Sequence, residues 1–137
     1  MILLDTNVVS EVMRPKPTDM VLSWLDRQSD DGLLISSITI AEICYGLRIL
    51  PMGQRRHMLE TKFEQFVAEG FAGRIICFDE AAARAYAEIM GLRKEKGHLM
   101  SLPDGQIAAI AQVNKLVLAT RNITDFEDCG IELVNPF

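Results

Sequence analysis

Short runs of apolar residues, each bounded by polar or turn-forming residues, recur along the whole chain. A run of this length between such boundaries is typical of a buried β-strand. The predicted strands are Ile2–Leu4, Leu33–Ile35, Ile75–Phe78, Leu116–Ala119 and Ile131–Val134. Because all of these runs but the last are continuously apolar, the pattern favours a parallel sheet that is covered on both faces.

Between the strands, apolar residues recur every three or four positions, as they do on the buried face of a helix. The predicted helices are Met20–Arg27, Ile38–Leu50, Met58–Val67, Ala81–Lys94 and Pro103–Asn114. Strands that alternate with helices predict βα units and a mostly parallel sheet between two helical layers. The expected fold is therefore a single α/β domain over residues 1–137, without internal repeats or linkers.

The composition is that of an ordinary globular domain, and it excludes several classes of protein. The 137 residues are 49% hydrophobic, and no apolar run reaches the roughly 20 residues that span a bilayer. The N-terminal segment has no basic leader, so we expect a cytoplasmic protein. The three cysteines form no paired motif, which argues against a zinc ribbon or a disulfide framework. We expect Cys44 and Cys77 to be small buried side chains.

The net charge of −5 argues against nucleic-acid binding, since such proteins usually carry a basic face. This argument fails if the acidic residues converge on one site, because bound metal ions invert the local charge. Two basic segments are candidates to guide a phosphate backbone, although solvated helix ends explain them slightly better. Their residues are Arg55, Arg56 and His57, and Arg93, Lys94, Lys96 and His98.

Four acidic residues lie next to a predicted strand end or helix start. Asp5 follows the first strand directly, and Glu42 lies early in the helix after the second strand. Asp104 begins the helix before the fourth strand, and Asp125 comes shortly after that strand. The carboxyl ends of parallel strands share one edge of a sheet, so acids that are distant in sequence are able to meet there.

Each of these acids also has a purely structural interpretation. Glu42 and Asp104 each follow a hydroxyl residue by three positions, which is the spacing of a capping box. Asp5 would cap a short helix that begins near Asn7, and Asp125 fits an Asx turn. A cap requires neither a fully apolar strand before it nor four such sites in one short chain, so the pattern favours a shared site. Clustered carboxylates repel each other without a cation, and Mg²⁺ or Mn²⁺ suits oxygen ligands.

Four segments, read together, resemble the PIN-domain ribonucleases, and more narrowly the VapC toxins and FitB-type proteins. They are MILLDTNVVSE, SSITIAEICYG, LPDGQIAAIA and LATRNITDFEDCGIELVNPF. The resemblance implies a three-layer α/β/α fold with a central, mostly parallel sheet of about five strands. It implies a Mg²⁺- or Mn²⁺-dependent endoribonuclease that leaves a 5′-phosphate and a 3′-hydroxyl. It also implies a homodimer and a cognate antitoxin, with operator DNA bound only through the antitoxin.

Position by position, the resemblance assigns metal binding and catalysis to four acids. Asp5, Glu42 and Asp104 match the first three acids of the family. Asp125 is our choice for the fourth, because many relatives have Asn where this chain has Asn122 and place the acid a few residues later. The supporting or substrate-orienting groups are predicted to be Thr6, Asn7, Thr120 and Asn122.

Two other classes of function remain open from the sequence. A phosphatase of the haloacid dehalogenase type uses an Asp after a buried strand as its nucleophile, but it usually has Asp-x-Asp where this chain has Asp5-Thr6-Asn7. A non-catalytic subunit of a DNA-binding regulatory complex would keep the fold and tolerate loss of the acids. Turnover of p-nitrophenyl phosphate would favour the first alternative, and indifference to the acids would favour the second.

Overall fold

In the computed structural model, five short strands form one parallel sheet in the order β3-β2-β1-β4-β5. The structure describes the backbone of residues 1–137 and every side chain except that of Asp30. The strands are β1 (Ile2–Leu4), β2 (Leu33–Ser36), β3 (Ile75–Ile76), β4 (Val117–Ala119) and β5 (Leu133–Val134). The five predicted strands are confirmed, although β3 and β5 are shorter than predicted.

Six α-helices of the described chain cover the two faces of the sheet. They are α1 (Thr6–Met13), α2 (Asp19–Asp26), α3 (Ser37–Arg48), α4 (Gln54–Gly70), α5 (Glu80–Glu95) and α6 (Leu102–Val113). The last five correspond to the predicted helices, with ends that differ by a few residues. The first is the short helix that was the structural alternative for Asp5, and it begins directly at Thr6. None of the helices in the described chain has the length and hydropathy of a membrane span.

Two hydrophobic cores lie on opposite faces of the sheet, because successive residues of a strand point to opposite sides. Leu3 of β1 packs with the buried run Ile107–Ala111 of α6. Its neighbour Leu4 packs on the other face with Val8 of α1 and Phe63 of α4. The predicted three-layer α/β/α fold is therefore confirmed.

The predicted burial of Cys44 and Cys77 is wrong, since both thiols are exposed. In α3, Ile43 and Leu47 are turned toward the core, and Cys44 lies one position beyond that face. Cys77 follows β3, which is an edge strand of the sheet, and Ile75 of that strand is 38% exposed. A small apolar side chain in an apolar run is thus exposed when no other element packs against its face of the helix or against its strand.

Gly105 allows α6 to pack closely against α5. A Cβ at this position would lie 2.6 Å from Sδ of Met90 and 2.9 Å from a ring carbon of Tyr86. We expect Gly105→Ala to lower the free energy of unfolding by about 1–2 kcal/mol, because overpacking outweighs the gain in helix propensity. Gly91→Ala on α5 is the control, since a Cβ there meets no described atom within 4 Å. Urea denaturation compares the two, and equal stabilities would contradict the close packing.

Candidate active site

The strand order changes direction between β1 and β4. The chain adds β2 and β3 on one side of β1, and it later places β4 and β5 on the other side. In open α/β sheets, a change of this kind leaves a crevice at the carboxyl ends of the two strands, and ligands bind there. Asp5 follows β1 and Thr120 follows β4, so both residues lie at this crevice.

Asp5 is 4% exposed, and both of its carboxylate oxygens accept hydrogen bonds. Oδ1 accepts from the backbone N–H of Thr6 at 2.8 Å, so Asp5 is the N-cap of α1. Oδ2 accepts from the Thr120 hydroxyl at 2.8 Å and from the Asn7 amide at 3.3 Å. The interpretation of Asp5 as a helix cap is therefore correct, but capping does not account for the contact with Thr120 at the end of β4.

Burial raises the pKa of Asp5 from its ordinary value of 3.8 to about 6. Hydrogen bonds from Thr120 and Thr6 oppose this shift, and the nearby carboxylates of Asp104 and Glu42 add to it. A carboxyl group in such a place is unfavourable to ionise unless a cation lies beside it.

A series of hydroxyl groups leads from the end of β2 to Glu42. Ser36 is the N-cap of α3, and its Oγ accepts from the backbone N–H of Thr39 at 3.1 Å. The Thr39 hydroxyl lies 3.0 Å from the hydroxyl of Thr6, which donates to Oε1 of Glu42 at 2.7 Å. Because α3 begins at Ser37, Glu42 lies in its second turn and does not form the capping box with Thr39. Its side chain is instead held by Thr6, the first residue of α1.

Asp104 lies in the first turn of α6, where its backbone N–H donates to the hydroxyl of the N-cap Ser101 at 3.3 Å. This half of the predicted capping box therefore forms. Burial raises the pKa of the Asp104 carboxyl, and the carboxylates of Asp125 and Glu42 raise it further. The Ser101 hydroxyl and the guanidinium of Arg93 act in the opposite direction. Asp104 is thus within electrostatic reach of acids on two other elements.

Asp5, Glu42 and Asp104 line one open cavity of about 480 Å³. Among the described residues, no three His, Cys, Asp or Glu side chains are already gathered as ligands of a metal ion. Repulsion between like charges opposes a tighter cluster until a cation neutralises it. The structure thus brings the three predicted acids together as an open set of oxygen donors.

The fourth predicted acid, Asp125, lies beside this cavity. It belongs to a short 3-10 helix, Ile123–Phe126, and its side chain is exposed. Asn122 precedes that helix and does line the cavity, and its backbone N–H donates to the Thr120 hydroxyl at 3.0 Å. Arg93 of α5 fixes the segment, since Nη2 donates to the carbonyl oxygen of Asp125 at 3.1 Å.

Asn7 connects the two strand ends that flank the crevice. Its Nδ2 donates to Oδ2 of Asp5 and to Oγ1 of Thr120, each at 3.3 Å. Its Oδ1 accepts from the backbone N–H of Arg121 at 3.2 Å. The predicted supporting residues Thr6, Asn7 and Thr120 therefore all contact an acid of the cavity.

Three charged residues of the cavity wall have no counterpart among the predicted site residues. They are Glu11, Arg14 and Arg121. Glu11 is 4% exposed, and hydrogen bonds from Thr18, followed by Arg14, hold its pKa below the ordinary value. Glu11 follows Asn7 by four residues, so the two share one face of α1. Only recognition of that short helix would have pointed to Glu11 from the sequence.

The two predicted basic segments contribute no residue to the wall of this cavity in the described structure. Arg93 is 5% exposed, and it is therefore unable to contact a phosphate backbone. Arg56 pairs with Glu60 on α4 at 2.8 Å, and Lys96 pairs with Asp128 at 3.6 Å. Arg56, Arg93 and Lys96 are therefore better interpreted as ordinary structural charges, whereas Arg55 lines a neighbouring cavity together with Arg14 and Glu42.

Comparison with known proteins agrees with this architecture. A family model described as the PIN domain matches residues 2–130. A VapC ribonuclease of Sinorhizobium fredii is 40% identical over 137 residues, which are 100% of this chain and 98% of that protein. The toxin FitB of Neisseria gonorrhoeae is also 40% identical, and the match covers 100% of this chain and 99% of FitB. A solved structure of FitAB bound to a DNA fragment matches with a TM-score of 0.92 and 40% identity, over 99% of this chain and 95% of that chain. This chain therefore belongs to the PIN-domain family.

Proposed function

We propose that this protein is the toxin of a toxin–antitoxin pair and a metal-dependent endoribonuclease that hydrolyses RNA phosphodiester bonds. The observation that carries the proposal is the convergence of Asp5, Glu42 and Asp104 on one open cavity at the crevice of a PIN-domain sheet. The relatives named as a VapC ribonuclease and as the toxin FitB support it. The proposed unit is the whole chain, residues 1–137, acting as one PIN domain in the cytoplasm.

The residues of the cavity fit a hard divalent metal ion. Their carboxylates come from three different elements, and within the described structure no His or Cys side chain lines the cavity. Oxygen donors alone suit Mg²⁺ or Mn²⁺ better than zinc. We assign Asp5, Glu42 and Asp104 as ligands, directly or through water, with Asp125 as the fourth acid. When bound, the ion would polarise the scissile phosphate and lower the pKa of a bound water.

Neighbouring side chains hold the acids in the orientation that this chemistry requires. The Thr120 hydroxyl fixes one oxygen of Asp5, and the Thr6 hydroxyl fixes Oε1 of Glu42. In the described structure no side chain donates to Oε2 of Glu42, so this oxygen is left to accept a proton from the attacking water. Asn122, on the same wall, is positioned to orient a water or a phosphate oxygen. The reaction would leave a 5′-phosphate and a 3′-hydroxyl.

The proposed partners are a cognate antitoxin and a second copy of this chain. The similarity to FitAB in a DNA-bound structure supports an antitoxin that also carries operator DNA, so the chain itself would touch no DNA. The same observation favours a second role as a subunit of a DNA-binding regulatory complex. That role does not need the acids, whereas the nuclease role does.

The test is RNA cleavage by the purified protein with Mg²⁺ or Mn²⁺ and with EDTA. We expect cleavage with either ion, none in EDTA, and a loss of at least about 100-fold in Asp104→Asn, as when one electrostatic group leaves an active site. Glu80→Gln is the control, because Glu80 is an exposed acid in the first turn of α5. Undiminished cleavage in EDTA, or a fully active Asp104→Asn, would overturn the proposal. Turnover of p-nitrophenyl phosphate without RNA cleavage would indicate a phosphatase instead.

A further inference from the structure

An acidic protein with four carboxylates in the lining of its cavity still has to hold a polyanion beside them. The cavity wall offers two cations for this purpose, Arg14 and Arg121, which lie far apart in the sequence. Both approach the same oxygen of Glu11: Oε2 lies 3.3 Å from Nη1 of Arg14 and 3.9 Å from Nη2 of Arg121. Glu11 is buried, whereas the two arginine side chains are 65% and 50% exposed. A buried anion therefore anchors two exposed cations on one wall.

The charge of this group is not balanced. Two guanidinium groups face one carboxylate, so these three side chains together carry one unit of net positive charge. Each guanidinium has five N–H donors in a planar fork, and the contact with Glu11 occupies only one nitrogen of each. The remaining donors are free to bind phosphate oxygens, for which the fork geometry is suited. Glu11 thus orients the arginines without consuming their binding capacity.

Arg121 is held in place from two further sides. Its guanidinium carbon lies 3.9 Å from the centroid of the Phe137 ring, which is a cation–π contact. Its backbone N–H donates to Asn7, and the amide of Asn7 donates to Asp5. The position of this cation is therefore coupled to the position of the first acid of the cavity through a single side chain.

We propose that Arg14 and Arg121, anchored by Glu11, form a phosphate-binding site for the backbone of single-stranded RNA next to the acidic cavity. This inference rests on the proposed ribonuclease function and adds the site that holds the substrate. The contact is with phosphate, so it contributes affinity and position without reading the base sequence. It also resolves the conflict between the negative net charge and a nucleic-acid substrate, because the required cations lie locally at the acids.

The first test measures RNA binding separately from cleavage. A short, fluorescein-labelled single-stranded RNA of mixed sequence is titrated with Asp5→Asn protein in EDTA over a series of salt concentrations, using fluorescence anisotropy. Adding Arg14→Gln or Arg121→Gln should weaken binding and reduce the slope of log K against log salt by about 0.7 each, and by about 1.4 together. Arg121→Lys should keep most of the slope, since it keeps the charge.

The control is Arg84→Gln on α5, because Arg84 is also exposed and also pairs with a single glutamate, Glu80, at 3.1 Å. It should leave the slope and the affinity unchanged. The inference is overturned if the Arg14 and Arg121 variants show the same salt slope as the control variant and melt at unchanged temperatures. The two arginines would then be ordinary surface ion pairs.

The second test separates this inference from the proposed function. In the cleavage assay with Mg²⁺, the two arginine variants should raise KM several-fold and leave kcat near the wild-type value, because the lost contact binds the substrate and the transition state equally. If the wild type neither binds nor cleaves RNA, both proposals fail. If the wild type cleaves RNA and the arginine variants keep its KM and salt slope, the phosphate site fails and the ribonuclease function stands.

Discussion

Asp5→Asn is expected to abolish RNA cleavage and, at the same time, to stabilise the metal-free protein near neutral pH. The variant keeps the size of the side chain and an acceptor for the backbone N–H of Thr6, but it removes the charge. We expect cleavage to fall at least about 100-fold, as it does when one electrostatic group leaves an active site. Cleavage of labelled RNA in Mg²⁺ and thermal melts in EDTA measure the two effects.

The stabilisation follows from the raised pKa of Asp5. With a pKa of about 6 in the fold against an ordinary 3.8, the folded protein keeps a proton that the unfolded chain releases between these values. The free energy of unfolding therefore falls by up to about 3 kcal/mol as pH rises from about 4 to about 6, and stays lower above that range. Asn removes this fall. The variant also loses the carboxylate acceptor for the Thr120 hydroxyl, which offsets part of this stabilisation. The expected net gain in the free energy of unfolding is about 1–2 kcal/mol near neutral pH.

Asp79→Asn is the matched control for this experiment. Asp79 is the N-cap of α5 and accepts from the backbone N–H of Ala82 at 3.0 Å, but it does not line the cavity. Asn caps a helix as well as Asp does, so cleavage and the pH dependence of melting should both stay unchanged. If Asp5 serves only as a cap, Asp5→Asn will cleave RNA normally and will melt at or below the wild-type temperature at every pH.

Arg93→Met is expected to lower the free energy of unfolding by about 2–4 kcal/mol, because two carbonyl oxygens lose the same charged donor. The guanidinium donates to the carbonyl oxygen of Glu127 at 2.5 Å and to that of Asp125 at 3.1 Å. Met fills a similar volume without replacing either hydrogen bond. In the described structure Nε of Arg93 is buried without a hydrogen-bond partner. Removing this unpaired group reduces the loss of stability. Urea denaturation measures the change.

Arg84→Met on the same helix is the control, since an exposed ion pair contributes at most about 1 kcal/mol. We further expect faster amide exchange confined to residues 122–128 in Arg93→Met, because Arg93 ties that segment to α5. Slower RNA cleavage should accompany it, as the segment carries Asn122 and Asp125. Equal stabilities of the Arg93 and Arg84 variants would contradict the anchoring role.

Local patterns were sufficient to predict most of the secondary structure and three of the four acids that line the cavity. The five strands follow from short apolar runs, and five of the helices follow from apolar residues at helical spacing, since both depend on neighbours in sequence. The short helix α1 was harder to predict, because it spans eight residues and begins with Thr6 and Asn7. Asp5, Glu42 and Asp104 were marked by their positions at strand ends and helix starts, together with the resemblance to PIN-domain ribonucleases.

The tertiary structure alone decided which side chains meet. The strand order β3-β2-β1-β4-β5 sets β1 beside β4, and only this pairing brings the Thr120 hydroxyl to the carboxylate of Asp5. The same pairing brings Arg121 to Glu11 and places Asn122, rather than Asp125, on the cavity wall. Periodicity reports which face of an element is buried, but not which element covers it. The sequence by itself therefore determined the elements and three of the acids, whereas the cations and hydroxyl groups around the acids depended on how the elements pack. Two of these contacts, Thr120 with Asp5 and Arg121 with Glu11, join residues more than a hundred positions apart.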